Sequence, residues 1–120
     1  MENEAKQVAV ATDYLGKTVT ITIDRPINSK HPKFGWPYPL NYGFVPGTLS
    51  PDGEELDAYL IGINEPVESY AGVCIAVIHR TNDNDDKLVV VTEDKKSITD
   101  DELREATHFQ EQYFTSEILR

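Results

Sequence analysis

The sequence predicts a mainly β domain: a small closed barrel of short, mostly antiparallel strands with one α-helix packed on it near the C-terminus. Three observations support this fold class. Residues 17–24 alternate between apolar and polar side chains, four further apolar segments are separated by turn residues, and helical spacing begins only after residue 98. Alternation with a period of two is typical of half-buried strands. Several short strands with turns between them favour a barrel.

The first strong strand prediction is the alternating segment, where Val19, Ile21 and Ile23 share one face. The other strand predictions are listed here in chain order, beginning with a weaker candidate: residues 7–12, 41–49, 58–63, 73–79 and 87–92. The continuous apolar run 73–79 is expected in the middle of the barrel, covered on both faces. Residues 25–39 hold four prolines and a glycine, so we expect a loop there.

The predicted helix begins with a capping box, in which Thr99 is the N-cap and Glu102 stands three residues later. An apolar stripe at spacings of three and four follows: Leu103, Ala106, Phe109 and Tyr113. Such a stripe is typical of a helix packed on a core. Because the 120 residues contain no repeat, linker or low-complexity tract, we expect a single domain over residues 1–120.

The composition is strongly acidic, with 21 Asp and Glu against 11 Lys and Arg and a formal charge of −10. Such a surface repels nucleic acid and anionic lipid, so neither is expected as a partner. An anionic substrate would need bound cations to invert the local field. The single cysteine, Cys74, is expected to be a buried core thiol in a reducing compartment. Residues 1–17 have no apolar signal core, so we expect a cytoplasmic protein.

Two acidic clusters, residues 52–57 and 82–87, lie at predicted strand ends. Many carboxylates in one cleft are costly unless cations neutralise them, and hard oxygen ligands suit Mg²⁺, Mn²⁺ or Ca²⁺. The alternative is that these are solvated turn residues, because Asp and Asn favour turns by themselves. Neither cluster has the ligand spacing of an EF-hand.

Four segments in order resemble a known family. Residues 38–49 are similar to its Tyr-Pro-x-Asn-Tyr-Gly segment, and residues 52–57 to its Asp-Gly-Asp-Pro-x-Asp signature. Residues 83–91 resemble its second acidic segment, and residues 108–113 its helix. The chain thus resembles the soluble (family I) inorganic pyrophosphatases, in a shortened and divergent form.

The resemblance implies a five-stranded, OB-like barrel and a Mg²⁺-dependent hydrolysis of pyrophosphate to two phosphates, with Mn²⁺ as a substitute ion. It also implies self-association into a homo-oligomer. The metal ligands it implies are Asp52, Asp57 and Asp85 for the pair that activates water, with Asp83 and Asp85 for the metals that arrive with substrate. Asp85 rather than Asp86 keeps the family's spacing to Lys87.

The resemblance assigns phosphate contacts to Tyr42, Lys87 and Tyr113. Glu54 stands where the family has an aspartate that accepts a proton from the attacking water. A glutamate can do this chemistry but reaches about one methylene further, and the geometry of a general base tolerates little error.

The chain also departs from the pattern. Its hairpin is compressed into residues 25–33, where Lys30 or Lys33 could replace missing cations. Phe114 stands where the family has a lysine. Further candidates near the site are Asp24 as an acidic residue, and His79 and Arg80 as donors or as surface residues.

Three functions therefore stay open. The first is a pyrophosphate hydrolase. The second is a hydrolase of a larger phosphoanhydride, such as a nucleotide or short polyphosphate, which the shortened hairpin would admit. The third is a module that binds Mg²⁺ or pyrophosphate without turnover, for which Phe114 and Glu54 are the arguments.

Overall fold

A computed structural model describes residues 10–48, 54–81 and 85–120. Its strands are β1 (Thr18–Arg25), β2 (Asn41–Val45), β3 (Leu56–Ile61), β4 (Ser69–Arg80), β5 (Asp85–Val91) and β6 (Ser116–Leu119), and helix α1 spans Asp100–Glu111. Short 3₁₀ turns cover Ala11–Tyr14 and Glu93–Lys95. The five strong strand predictions are confirmed within a few residues. The weak candidate is wrong where it can be compared, since residues 11 and 12 are in a 3₁₀ turn, and β6 was not predicted.

Five of the strands in the described ranges close into a ring. The order is β1-β2-β3-β5-β4, and the first half of β4 pairs back onto β1. Strand β6 pairs with the last residues of β4, beyond the part that β1 covers. The β3–β5 pair is parallel, and the other neighbours are antiparallel. The expectation of a mostly antiparallel barrel is therefore confirmed, with this pair as the exception among the described strands. A ring with an odd number of strands cannot alternate direction throughout, so two neighbours must run the same way.

The ring separates two apolar layers. Its interior is filled by side chains such as Ile21, Leu56 and Leu88, and Cys74 lies there fully buried, as expected. The outer layer lies between the ring and α1 and contains Leu103. Since strand side chains alternate between faces, odd positions of β3 and β5 point toward this outer layer. No helix in the described part of the chain is long and apolar enough to cross a membrane.

The loop between β1 and β2 is tied to the ring by a buried amide. The Asn41 side chain accepts a hydrogen bond from the Ile27 backbone N–H at 2.9 Å and donates one to the Glu65 carbonyl at 3.0 Å. A bridge between Lys30 and Pro37 folds the loop back on itself. The loop is thereby fixed beside the outer layer.

The predicted capping box is present. The Thr99 hydroxyl accepts from the Glu102 backbone N–H at 3.2 Å, and the Glu102 carboxylate accepts from the Thr99 N–H at 2.9 Å. The helix stripe is wrong for Tyr113, which lies beyond the end of α1 and is 59% exposed. Glu111 is buried instead, because it pairs with a buried arginine of β4.

Replacing Thr99 with alanine is expected to lower the free energy of unfolding by about 1 kcal/mol, because the first turn of α1 loses its side-chain acceptor. Urea denaturation followed by circular dichroism measures this. Ser97→Ala, an exposed change two residues earlier, is the matched control and should stay within about 0.5 kcal/mol. Equal effects of the two changes would contradict the role of the cap.

Candidate active site

Polar side chains occupy the outer face where β3 begins and where β4 and β5 meet. The register places Asp57 of β3 opposite Lys87 of β5, and Arg80 of β4 opposite Asp85 of β5. Tyr42 of β2 joins the same face, and it packs in the outer layer beside Tyr59. Because all these residues lie on paired strands, their backbones are held rigidly with respect to each other.

Lys87 is the centre of this group. Its ammonium donates to Asp57 Oδ2 at 2.7 Å and to Asp85 Oδ2 at 2.8 Å, and its side chain is 4% exposed. The Tyr42 hydroxyl donates to the same Asp57 oxygen at 2.8 Å. Burial, followed by the Asp57 charge and hydrogen bond, raises the pKa of Tyr42 well above its usual value. Tyr42 therefore stays a hydrogen-bond donor.

Asp86 faces the other way. Its carboxylate lies 2.6 Å from Nδ1 of His79 on the neighbouring strand, and this hydrogen bond raises the pKa of His79. Since strand neighbours point to opposite faces, only one of Asp85 and Asp86 can share a face with Lys87. The contacts of Lys87 favour Asp85.

A buried network lies behind Lys87. Arg80 donates from Nε and Nη2 to the two carboxylate oxygens of Glu111 at 3.0 and 2.7 Å, and from Nη1 to Asp85 Oδ2 at 3.4 Å. The Tyr59 hydroxyl also donates to Glu111, at 2.6 Å. The Phe114 ring covers the guanidinium at 3.7 Å. The network therefore links the C-terminal end of α1 to the candidate ligand Asp85.

Sequence reasoning missed Tyr59, Glu111 and Gln110, whose side-chain amide donates to the Tyr59 hydroxyl at 2.8 Å. Arg80 was considered only as a donor or as a surface residue, and it is buried. The helical spacing could have indicated Glu111, since it is four residues after Thr107 and eight after Leu103, both of which are buried.

Tyr42, Arg80 and Lys87 line a cavity of about 450 Å³, and Tyr113 lies in its wall. The structure therefore brings together four of the candidate residues, Tyr42, Asp57, Asp85 and Lys87, with Tyr113 across the same cavity. Two candidate metal ligands, Asp52 and Asp83, lie outside the described residues.

The remaining candidates lie at the margin. Glu54 is exposed just before β3. Asp24 is largely exposed on β1. Partial desolvation by neighbouring atoms raises the pKa of its carboxyl, and the Arg25 charge opposes this rise. Lys30 and Lys33 are both exposed, and the Lys33 ammonium lies over the Phe34 ring at 5.4 Å. Within the described part of the chain, neither lysine is hydrogen-bonded or ion-paired to Asp57 or Asp85.

The carboxylate oxygens of Asp57 and Asp85 are of the type that binds a hard divalent cation. Two carboxylate oxygens converge on one buried ammonium, which marks a point where positive charge is favourable, and carboxylate oxygens are what Mg²⁺ prefers. Within residues 10–48, 54–81 and 85–120, no group of three or more His, Cys, Asp or Glu side chains is placed to hold a metal. Among the described residues, Asp57 and Asp85 are the two candidate ligands that contact the same ammonium.

A family model described as inorganic pyrophosphatase matches residues 6–118. The chain belongs to this family. The inorganic pyrophosphatase of Pseudomonas aeruginosa is 37% identical over 75 residues, which cover 58% of this chain and 42% of that protein. That of Rickettsia prowazekii is 35% identical over 72 residues, with coverages of 57% and 42%. The match thus spans about two fifths of the length of these pyrophosphatases.

Solved pyrophosphatase structures share the fold. That from Ehrlichia chaffeensis superposes with a TM-score of 0.66 at 21% identity, covering 96% of this chain and 90% of the other. That from Helicobacter pylori gives a TM-score of 0.67 at 18% identity, with coverages of 98% and 90%. The closed, OB-like ring with a C-terminal helix is therefore the pyrophosphatase fold, as expected.

Proposed function

We propose that this chain hydrolyses inorganic pyrophosphate to two phosphates with bound Mg²⁺, for which Mn²⁺ can substitute. The observation that carries the proposal is the convergence of Asp57 and Asp85 on the buried ammonium of Lys87. Membership of the pyrophosphatase family supports the substrate. An acidic chain can bind an acidic substrate only where cations reverse the field.

Asp57 and Asp85 would hold the metal ions, together with Asp52 and Asp83. When bound, these ions neutralise phosphate charge and lower the pKa of a bound water toward neutrality. Asp57 and Asp85 would hold these ions near Lys87, on the outer face of the ring.

The other side chains grip the substrate. Lys87 and Tyr42 are donors, and both can hold phosphate oxygens through charge-assisted hydrogen bonds. Glu54 is the proposed proton acceptor. Water attacks one phosphorus, the bridging P–O bond breaks, the other phosphate leaves with the bridging oxygen, and the proton of the water passes to Glu54. Tyr113 is the proposed donor on the far side of the cavity.

We also propose that the chain forms a single domain over residues 1–120, that it acts in the cytoplasm, and that it self-associates. The acidic composition supports the absence of nucleic-acid and membrane partners. Sedimentation velocity of the purified chain measures the oligomeric state.

The test is phosphate release from pyrophosphate with Mg²⁺ and with a chelator, beside the variant Asp57→Asn. We expect release that requires Mg²⁺ and falls at least about a hundredfold in the variant, because a carboxylate that holds the metal has become a neutral amide. Asp13→Asn, an exposed change in the first 3₁₀ turn, is the matched control and should keep its activity. A folded chain that releases no phosphate with Mg²⁺ would contradict the proposal.

A second candidate function is a binding module without turnover. It is favoured by Phe114, which covers the Arg80 guanidinium at 3.7 Å where the family has a lysine by resemblance. A lost phosphate donor weakens transition-state stabilisation more than metal binding. Calorimetric binding of Mg²⁺ and pyrophosphate without phosphate release would identify this function.

A further inference from the structure

The cavity has an aromatic wall, which we define as His31, Phe34, Trp36 and Tyr113. The Phe34 and Trp36 rings are stacked with centroids 4.9 Å apart, and Trp36 and Tyr113 are stacked at 5.3 Å with planes 8° apart. The His31 ring lies 4.9 Å from Phe34 and 4.8 Å from Trp36. The wall joins the loop before β2 to the turn after α1.

The wall is accessible. Phe34 is 60% exposed and Tyr113 is 59% exposed, although burying a large apolar side chain stabilises a protein. Exposed apolar groups that gather at a cavity are typical of a ligand groove. The wall and the polar floor of Lys87 and Arg80 line the same cavity of about 450 Å³, a volume within the range of organic ligand sites.

Pyrophosphate accounts for the Tyr113 hydroxyl as a proposed donor, but it does not explain the aromatic faces of this wall. The ion consists of phosphorus and oxygen only, so it gains nothing from aromatic faces. A ligand that fits both parts has a diphosphate at one end and a flat apolar group at the other. A nucleobase has flat faces that stack on aromatic rings, whereas an aliphatic chain has none.

We propose that the aromatic wall binds the base of a nucleoside diphosphate or triphosphate whose terminal diphosphate lies at the Lys87 end of the cavity. This inference rests on the proposed function, since it uses the same metal-assisted attack. Water attacks the terminal phosphorus, the anhydride P–O bond breaks, and the nucleoside phosphate leaves with the bridging oxygen. The proton of the water passes to Glu54 and then to solvent.

The test compares two non-hydrolysable ligands that share a diphosphonate group: methylenediphosphonate and adenosine 5′-(α,β-methylene)diphosphate. Calorimetry with Mg²⁺ measures both dissociation constants. We expect the adenosine portion to tighten binding about tenfold or more, because base stacking on aromatic rings contributes on that scale. Trp36 is the only tryptophan of the chain. Its fluorescence should be quenched by the adenosine ligand and not by methylenediphosphonate.

Phe34→Ala is the discriminating variant, because a side chain so exposed contributes little to the core. It should remove most of the tenfold gain and leave the affinity for methylenediphosphonate unchanged. Val10→Ala truncates another exposed apolar side chain, 55% exposed and outside the cavity lining, and should change neither affinity.

Equal binding of the two ligands by the unaltered chain would overturn the inference and leave the pyrophosphatase proposal standing. A Phe34→Ala variant that keeps the full adenosine gain would overturn it as well. If that variant instead changes the oligomeric state, the wall is a contact between copies of the chain. If the chain binds neither ligand, it has no site for a diphosphate group. Both the proposed function and this inference would then be wrong.

Discussion

Replacing Glu111 with alanine is expected to lower the free energy of unfolding by about 3–5 kcal/mol, because it breaks a buried ion pair and leaves its partner charge uncompensated. The side chains of Arg80 and Glu111 are 6% and 8% exposed. Glu111 accepts three hydrogen bonds, two from Arg80 and one from Tyr59. The alanine variant supplies none of these acceptors.

Urea denaturation measures this loss, and two variants sharpen it. Glu111→Gln keeps one acceptor oxygen for Tyr59 or Arg80 but loses the charge, so its effect should be smaller than that of alanine. Glu117→Ala removes an exposed glutamate on β6 and should change the free energy of unfolding by less than about 0.5 kcal/mol. The expectation is wrong if Glu111→Ala is no more harmful than Glu117→Ala.

Asp85→Asn is expected to slow phosphate release from pyrophosphate by roughly a hundredfold or more, whereas its neighbour Asp86→Asn should stay within about threefold of the unaltered chain. The two changes are chemically identical and one residue apart. They differ because Asp85 contacts Lys87 and Arg80 on the cavity side, while Asp86 contacts His79 on the opposite side.

The measurement is initial rate against Mg²⁺ concentration for the two variants, with unfolding curves to confirm that each is folded. Asp85→Asn should also raise the Mg²⁺ concentration needed for half-maximal release, because a metal ligand has lost its charge. The opposite ranking, with Asp86→Asn as the damaging change, would move the ligand assignment by one residue.

The strands could be predicted because their signal is local. The alternation around Val19, Ile21 and Ile23 is a property of adjacent residues, and it corresponds to the buried face of β1. The same holds for the capping box at Thr99. By contrast, the parallel pairing of β3 with β5 follows from closure of a ring with an odd number of strands, and no local pattern contains that information.

The position of Arg80 could not be predicted for a specific reason. The pairing of β4 with β5 shifts register between Cys74 and Ala76, and such irregularities change which face the following residues point to. Cys74 lies inside the ring, but Ile78 packs in the outer layer. Strict alternation from Cys74 would have placed Arg80 in the apolar interior rather than beside Glu111.

The aromatic wall could not be predicted from the sequence either. Phe34 and Trp36 lie in a proline-rich loop, where spacing predicts no face, and Tyr113 was assigned to a helix that ends before it. The Asn41 amide ties this loop to the rest of the ring through partners 14 and 24 residues away in sequence, which no local pattern reveals.

The parallel pairing has a kinetic consequence. Asp57 and Lys87 are 30 residues apart in sequence, and the β1–β4 pair that closes the ring is also non-local. Contacts of this kind carry a loop-closure cost and form slowly compared with the β4–β5 hairpin. A chain that had formed only its β2–β3 and β4–β5 pairs would still hold Asp57 on β3 away from Asp85 on β5. The carboxylates of Asp57 and Asp85 should therefore come together only near the end of folding. A divalent ion that needs both would stabilise the closed ring, so it should slow unfolding rather than speed folding.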